Sequence, residues 1–158
     1  MAPLAETADA DDMALALALA DRADELTLRA FRRDDLVVET KPDLTPVTEA
    51  DRAVEGALRG ELARERPRDG VVGEEFGSSG EPGRRRWVID PIDGTKNFVR
   101  RIPVWATLLA LEVDGRMAVG VASAPALGRR WWAGRGRGAF AGPAGVRGSD
   151  RVAGAVPI

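Results

Sequence analysis

Between residues 11 and 31 the chain reads "DDMALALALADRADELTLRAF". The alternation of Ala and Leu imitates a strand, but both are strong helix formers. Leu15, Leu19, Ala23, Leu26 and Ala30 also recur at helical spacing, which predicts a helix over 11–31 capped by Asp11 or Asp12. "ETKPDLTPV" carries two prolines and reads as a loop. A second helix starts after Thr48, a fitting N-cap with Asp51 three residues on. Ala50, Val54, Ala57, Leu58 and Leu62 line one of its faces and Pro67 closes it.

Beyond Pro67 the pattern changes to short β-branched or aromatic runs bounded by Gly and Asp. "GVVGEEFG" and "RRRWVID" are strands separated by the loop "GSSGEPGRR", with Trp87–Ile89 buried and Asp90 emerging at the strand end. "VWATLLALEVDGRMAVGVASAP" gives two strands joined by a turn at Asp114-Gly115. "RRWWAGRGRGAFAG" gives another strand and a glycine-rich turn, and "VRGSDRVAGAVPI" contains no recognisable element. There are no internal repeats. Two helices followed by a mostly antiparallel sheet predict one layered α/β (α+β) domain over 1–158. The arginines at 84–86 and 129–130 read as solvated strand flanks.

Composition narrows the chemistry. The chain has 158 residues, 44% of them hydrophobic, enough for a globular core. A net charge of −2 gives no nucleic-acid footprint. There is no cysteine and no histidine, which removes thiolate zinc, disulfides, His-containing triads and imidazole bases. Hydrolytic chemistry is left to carboxylates, hydroxyls, lysine or a hard metal ion, and Mg²⁺ suits oxygen ligands best. The N-terminal segment lacks the basic leading region of a signal peptide, and no run reaches transmembrane length, so a soluble cytoplasmic protein without membrane partners is expected.

"WVIDPIDGTKNF" holds the densest candidate chemistry. Pro91 restricts Asp90 to extended backbone, and the following turn lets Asp93 approach it. Two carboxylates that close repel unless a cation lies between them. Gly94 permits close backbone approach, and Thr95 opens a short segment whose N–H groups face an anion. Taken alone, "DG" is equally a plain turn. Glu74 and Glu75 are either a solvated pair or a further source of metal ligands, and Asp51 either compensates a helix dipole or serves the site.

Together "DLTPVTEAD", "GEEFG" and "WVIDPIDGTKNF" resemble the inositol monophosphatase-like, Mg²⁺-dependent phosphatases. "DPIDGTKNFVRRIPVWATLLAL" and "SAPALGRRWWAGRGRGAF" look most similar to the bacterial, particularly actinobacterial, histidinol-phosphate phosphatases within that family. The resemblance implies a phosphomonoesterase of histidine biosynthesis that uses Mg²⁺, with Mn²⁺ as a substitute, and acts on a small phosphate monoester, L-histidinol phosphate. It implies that Glu74, Asp90 and the Ile92 carbonyl hold a first metal, while Asp90 and Asp93 hold a second. Gly94 and Thr95 would meet the phosphate, and Thr95 with Asp51 would orient the attacking water, so that Asp51, Glu74 and Thr95 form the catalytic set. It also implies a homodimer in the complete protein. The family's later W-D-x-A-A type motif has no counterpart after Trp132, so the chain corresponds to the first part of the family domain. A fragment that binds metal without turnover, or an inositol monophosphatase, are the alternative expectations. Strands over Val104–Leu111 and Val119–Ala122 are expected to pack incompletely. "GRGRGAF" lacks the strand–glycine–helix setting of a nucleotide loop and reads as a sheet turn.

Overall fold

The computed structural model describes residues 9–44, 46–80, 83–144 and 156–158. Helix α1 spans Ala10–Phe31. Its N-cap is Asp9, whose side chain accepts the Asp11 N–H at 3.0 Å, so Asp11 and Asp12 fall in the first turn instead of capping it. The buried stripe runs through Asp12, Ala16, Leu19, Ala20, Ala23, Asp24 and Thr27, leaving Leu15, Leu26 and Ala30 half-buried. The helix is thus rotated toward its small residues, and two aspartates go inside because cations await them.

The proline-flanked segment after α1 is a hairpin rather than a loop. Strand β1 (Val38–Thr40) pairs antiparallel with β2 (Pro46–Thr48). Pro46 opens its strand, a position that tolerates a missing N–H. Helix α2 (Glu49–Glu65) starts as its sequence predicts, with Thr48 and Asp51 forming a reciprocal capping box. Ala50, Val54, Leu58 and Leu62 are buried, and Ala57 is half-buried.

Strands β3 (Gly70–Gly73) and β4 (Gly77–Ser79) form a hairpin around Glu74–Phe76. Strand β5 runs from Arg85 to Asp93, past the predicted end at Ile89, and leads through Gly94 into the short helix α3 (Thr95–Val99). Strands β6 (Ala106–Val113) and β7 (Arg116–Ala124) meet at Asp114 and Gly115, both with positive φ (52° and 71°), as a two-residue hairpin turn requires. The "GRGRG" stretch turns between two strands, β8 (Arg129–Gly134) and β9 (Gly138–Pro143). The C-terminal stretch does contribute an element: β10 (Val156–Pro157) pairs with β9, while 146–155 of that stretch lie outside the described residues.

The main sheet has the order β10-β9-β8-β7-β6-β5-β3-β4 and is antiparallel except where β3 runs parallel to β5. Helices α1 and α2 pack on one face of it. Trp87, Ile89, Leu109, Leu111, Val119, Val121 and Trp132 meet Leu19, Leu58 and Leu62 there and form the main core. Alternation along each strand divides the expected loose packing. Leu109, Leu111, Val119 and Val121 are fully packed, whereas Leu108, Ala110 and Ala122 on the other face are only half-buried.

Two of the arginines read as solvated flanks are structural. Arg130 is 0% exposed; it donates to Asp21 (2.8 Å), Asp24 (2.5 Å) and Ser123 (2.9 Å), tying α1 to β7 and β8. Arg85 is half-buried and joins Asp12 (2.7 Å) to Asp69 (3.1 Å). Arg84, Arg86 and Arg129 are exposed, as expected. Arg130→Met leaves the Asp24 carboxylate buried without its cation and should cost about 3–5 kcal/mol of stability. Denaturant unfolding checks this, and adding Asp24→Leu to the variant should recover much of the loss.

Candidate active site

The site begins with a register change in β5. Asp90 pairs with Leu108 and Asp93 with Ala106, so three steps along β5 match two along β6. This is a bulge with one extra residue. In a regular strand, residues three apart face opposite sides of a sheet. The extra residue brings Asp93 to the side of Asp90, while Ile92 turns inward to pack with Ala50, Phe98 and Trp105. Thr107, fully buried, donates its hydroxyl to the Pro91 carbonyl at 2.8 Å and satisfies the bulge from β6.

Parallel pairing places the next carboxylate. Gly73 lies opposite Ile89, and the Glu74 N–H donates to the Ile89 carbonyl at 3.2 Å, so Glu74 leaves β3 at the level where Asp90 sits in β5. Glu74, Asp90, Ile92, Asp93, Gly94 and Thr95 line one cavity of about 380 Å³, joined by Asp43, Pro46, Lys96 and Asn97. The backbone at Gly94 (φ 92°) turns the chain into α3. The first helical N–H groups, at Thr95 and Lys96, have no acceptor within the helix and sit at this wall. Of the residues singled out from the sequence for the site, only Asp51 and Glu75 are not part of the cavity lining.

Asp51 lies just behind the wall. It is 2% exposed, and its Oδ2 accepts the Thr48 N–H (2.8 Å) and the Thr48 hydroxyl (2.5 Å). Its Oδ1 faces the Thr95 hydroxyl at 3.2 Å, and that hydroxyl also lies 2.9 Å from the Ile92 carbonyl. A hydroxyl has one hydrogen, so it serves one acceptor at a time. Asp51 therefore caps α2 with one oxygen and addresses the site with the other. Burial raises its pKa, against the pull of the hydrogen bonds from Thr48 and Thr95.

Charge is concentrated here. Burial, a hydrogen bond with Glu74, and the nearby charges of Glu74, Asp93 and Asp51 push the Asp90 carboxyl up to about 8. Asp90 Oδ1 is buried and has no hydrogen-bond partner. An orphaned carboxylate oxygen amid like charges, with oxygen donors throughout, fits a hard divalent cation. Among the described residues, though, no three carboxylates are gathered tightly enough to enclose an ion as they stand. Glu74 Oε1 instead lies 3.2 Å from Lys41 Nζ, which also holds Glu75 Oε1 at 2.7 Å. Burial works against the Lys41 ammonium, but the hydrogen bonds to Glu75 and Glu74 outweigh it and raise its pKa. For Glu75 burial is the larger effect and raises its pKa, opposed only in part by the hydrogen bond and charge of Lys41.

Lys41 and Asp43 were not singled out from the sequence. Lys41 lies two residues before "DLTPVTEAD" and Asp43 opens it, but a charged residue beside Pro42 is a signal too generic to stand alone. Glu75, considered there as a ligand source, is turned to Lys41, its side chain 5% exposed.

The chain belongs to the inositol monophosphatase family, whose description matches residues 9–152. It is 66% identical over 137 residues to a histidinol-phosphatase of Mycobacterium tuberculosis, covering 87% of this chain and 53% of that protein. It is 62% identical over 136 residues to a histidinol-phosphatase of Streptomyces coelicolor, covering 84% of this chain and 51% of that one. The extragenic suppressor protein suhB of Bartonella henselae shares the fold with a TM-score of 0.79 and 34% identity, over 83% of this chain and 52% of that one. The chain thus spans about half the length of the curated relatives it matches, and the expected α/β fold of the family is the one observed.

Gly94→Ala tests the turn that aims α3. A Cβ there meets the Val104 carbonyl at 3.2 Å and Trp105 Cα at 3.4 Å, on left-handed backbone. The left-handed conformation alone costs an L-residue about 1–2 kcal/mol. Denaturant unfolding should register at least that loss.

Proposed function

We propose that this chain carries the metal- and phosphate-binding half of a divalent-cation-dependent phosphomonoesterase that hydrolyses L-histidinol phosphate to L-histidinol and phosphate. The observation that carries the reading is the β5 bulge, which brings Asp90 and Asp93 to one cavity wall beside Glu74, with Thr95 and Asp51 in line behind them. The high identity to two actinobacterial histidinol-phosphatases supports the substrate.

In this reading Glu74, Asp90 and the Ile92 carbonyl hold one Mg²⁺, for which Mn²⁺ can substitute, while Asp90 and Asp93 contribute to a second. When bound, such a cation neutralises phosphate charge and lowers the pKa of a water molecule. The chain's own groups do the positioning. The N–H groups of Gly94 and Thr95 receive phosphate oxygens at the start of α3. The Thr95 hydroxyl accepts a hydrogen bond from the attacking water and donates its own hydrogen to Asp51, which Thr48 holds in place. Engaging the Ile92 carbonyl elsewhere frees the Thr95 hydroxyl for Asp51, since the two compete for one hydrogen. The reading carries with it a cytoplasmic homodimer for a protein of the relatives' length.

Calorimetry on this chain should detect Mg²⁺ or Mn²⁺ binding, abolished by Asp90→Asn. In a protein of the relatives' length, phosphate release should favour L-histidinol phosphate over inositol monophosphates, and Thr95→Ala should lower kcat by roughly 10²-fold or more. An unchanged kcat in Thr95→Ala removes that residue from the mechanism, and a preference for inositol phosphates reassigns the substrate.

A further inference from the structure

Glu55 is the most deeply buried acid near the cavity, with a side chain that is 0% exposed, yet it does not line the cavity. It stands one helical turn beyond Asp51 on α2, on the same face. Its carboxylate reaches under the β3–β4 turn. Oε2 accepts the Glu75 N–H at 2.7 Å, and Oε1 accepts the Phe76 N–H at 3.1 Å and Arg59 Nε at 2.8 Å. Arg59 continues to the Ser79 hydroxyl at 2.7 Å and to the Gly77 carbonyl, so the whole turn is bound from below.

The backbone is shaped for this reach. A Cβ at Gly73 would overlap the Glu55 carboxylate, so β3 ends in the one residue that leaves the space open. Glu74 is then fixed on both sides: its own N–H goes to the Ile89 carbonyl, and the next two N–H groups go to Glu55. A surface turn does not need such a device. Phe76 is 53% exposed, and water could satisfy these amides without the cost of burying a carboxylate.

We infer that Glu55 is a positioning residue, which holds the backbone of the β3–β4 turn so that Glu74 is aimed into the cavity. This rests on the proposed role of Glu74 as a metal ligand. One face of α2 then sets two parts of the site: Asp51 holds Thr95, and Glu55 holds Glu74.

The test is Mn²⁺ binding, measured by calorimetry, for the unmodified chain, Glu55→Gln, Glu74→Gln and the double variant. Glu55→Gln keeps the shape but presents an NH₂ group where an acceptor is needed. Its affinity for Mn²⁺ should fall about 10–100-fold, the usual effect of losing a group that orients a metal ligand. In the Glu74→Gln background the same change should cost nothing further. Amide hydrogen exchange should show faster exchange at Glu75 and Phe76 while Leu109 and Leu111 stay protected. Gly73→Ala, which displaces the carboxylate without neutralising it, should reproduce the loss and decides the matter where Glu55→Gln unfolds the chain. Unmodified affinity in Glu55→Gln, or a full additional loss in the Glu74→Gln background, overturns the assignment while leaving the metal site intact. No binding by the unmodified chain overturns the metal-site reading itself, and this role with it.

Discussion

One extra residue in β5 decides what this protein presents to solvent. Along a regular strand Asp90 and Asp93 would face opposite sides of the sheet, one toward the helices and one away. Between its pairings with Leu108 and Ala106, β5 spends Pro91 and Ile92 against Thr107 alone. Pro91 has no N–H to lose from the ladder, and its carbonyl is satisfied by the Thr107 hydroxyl. Ile92 is drawn into an aromatic cluster in which Phe98 and Trp105 meet edge to face, 4.9 Å between ring centroids. The bulge is therefore held by packing on one side and by a hydrogen bond within it. Both aspartates are left on the cavity wall.

What collects there is electrostatically unfavourable. Asp90, half-buried, shares its surroundings with Glu74, Asp93 and Asp51 and is pushed far from the ordinary carboxylate range. Lys41, carried by the β1–β2 hairpin, offsets part of this by engaging Glu74 and Glu75. No hydrogen bond reaches Asp90 Oδ1. A fold selected only for stability would not keep this arrangement, because each such group costs free energy unless a cation completes it. The contrast with the Arg130–Asp21–Asp24 network is informative. There Asp24 is buried and Asp21 half-buried, but the chain supplies its own cation.

The features legible in the sequence were those with short-range causes. The Thr48–Asp51 capping box and the Asp114-Gly115 turn need only neighbouring residues, and both stand as read. The cavity residues Glu74, Asp90, Ile92, Asp93, Gly94 and Thr95 were legible because their motifs are compact. The burial of Asp12, Asp24, Arg85 and Arg130 was not, since each is accounted for by partners distant in sequence. The rotation of α1 toward its alanines has the same origin. The β5 bulge was missed because "WVIDPID" does not reveal which residues of β6 it will oppose. The β1–β2 hairpin was hidden by prolines that sit where a strand tolerates them. Glu55 carried no signal, being an ordinary glutamate on a helix until β3 and β4 are folded over it.

Anomalous diffraction from crystals soaked in Mn²⁺ tests most directly the proposal that the β5 bulge, which sets Asp93 beside Asp90, and the β3–β5 pairing, which sets Glu74 at their level, build a metal-binding wall. The account predicts anomalous density in this cavity, with Glu74, Asp90, Asp93 and the Ile92 carbonyl as its nearest protein oxygens. Mn²⁺ density confined to other surfaces, or an Asp93 side chain on the helix-covered face of the sheet, would contradict it.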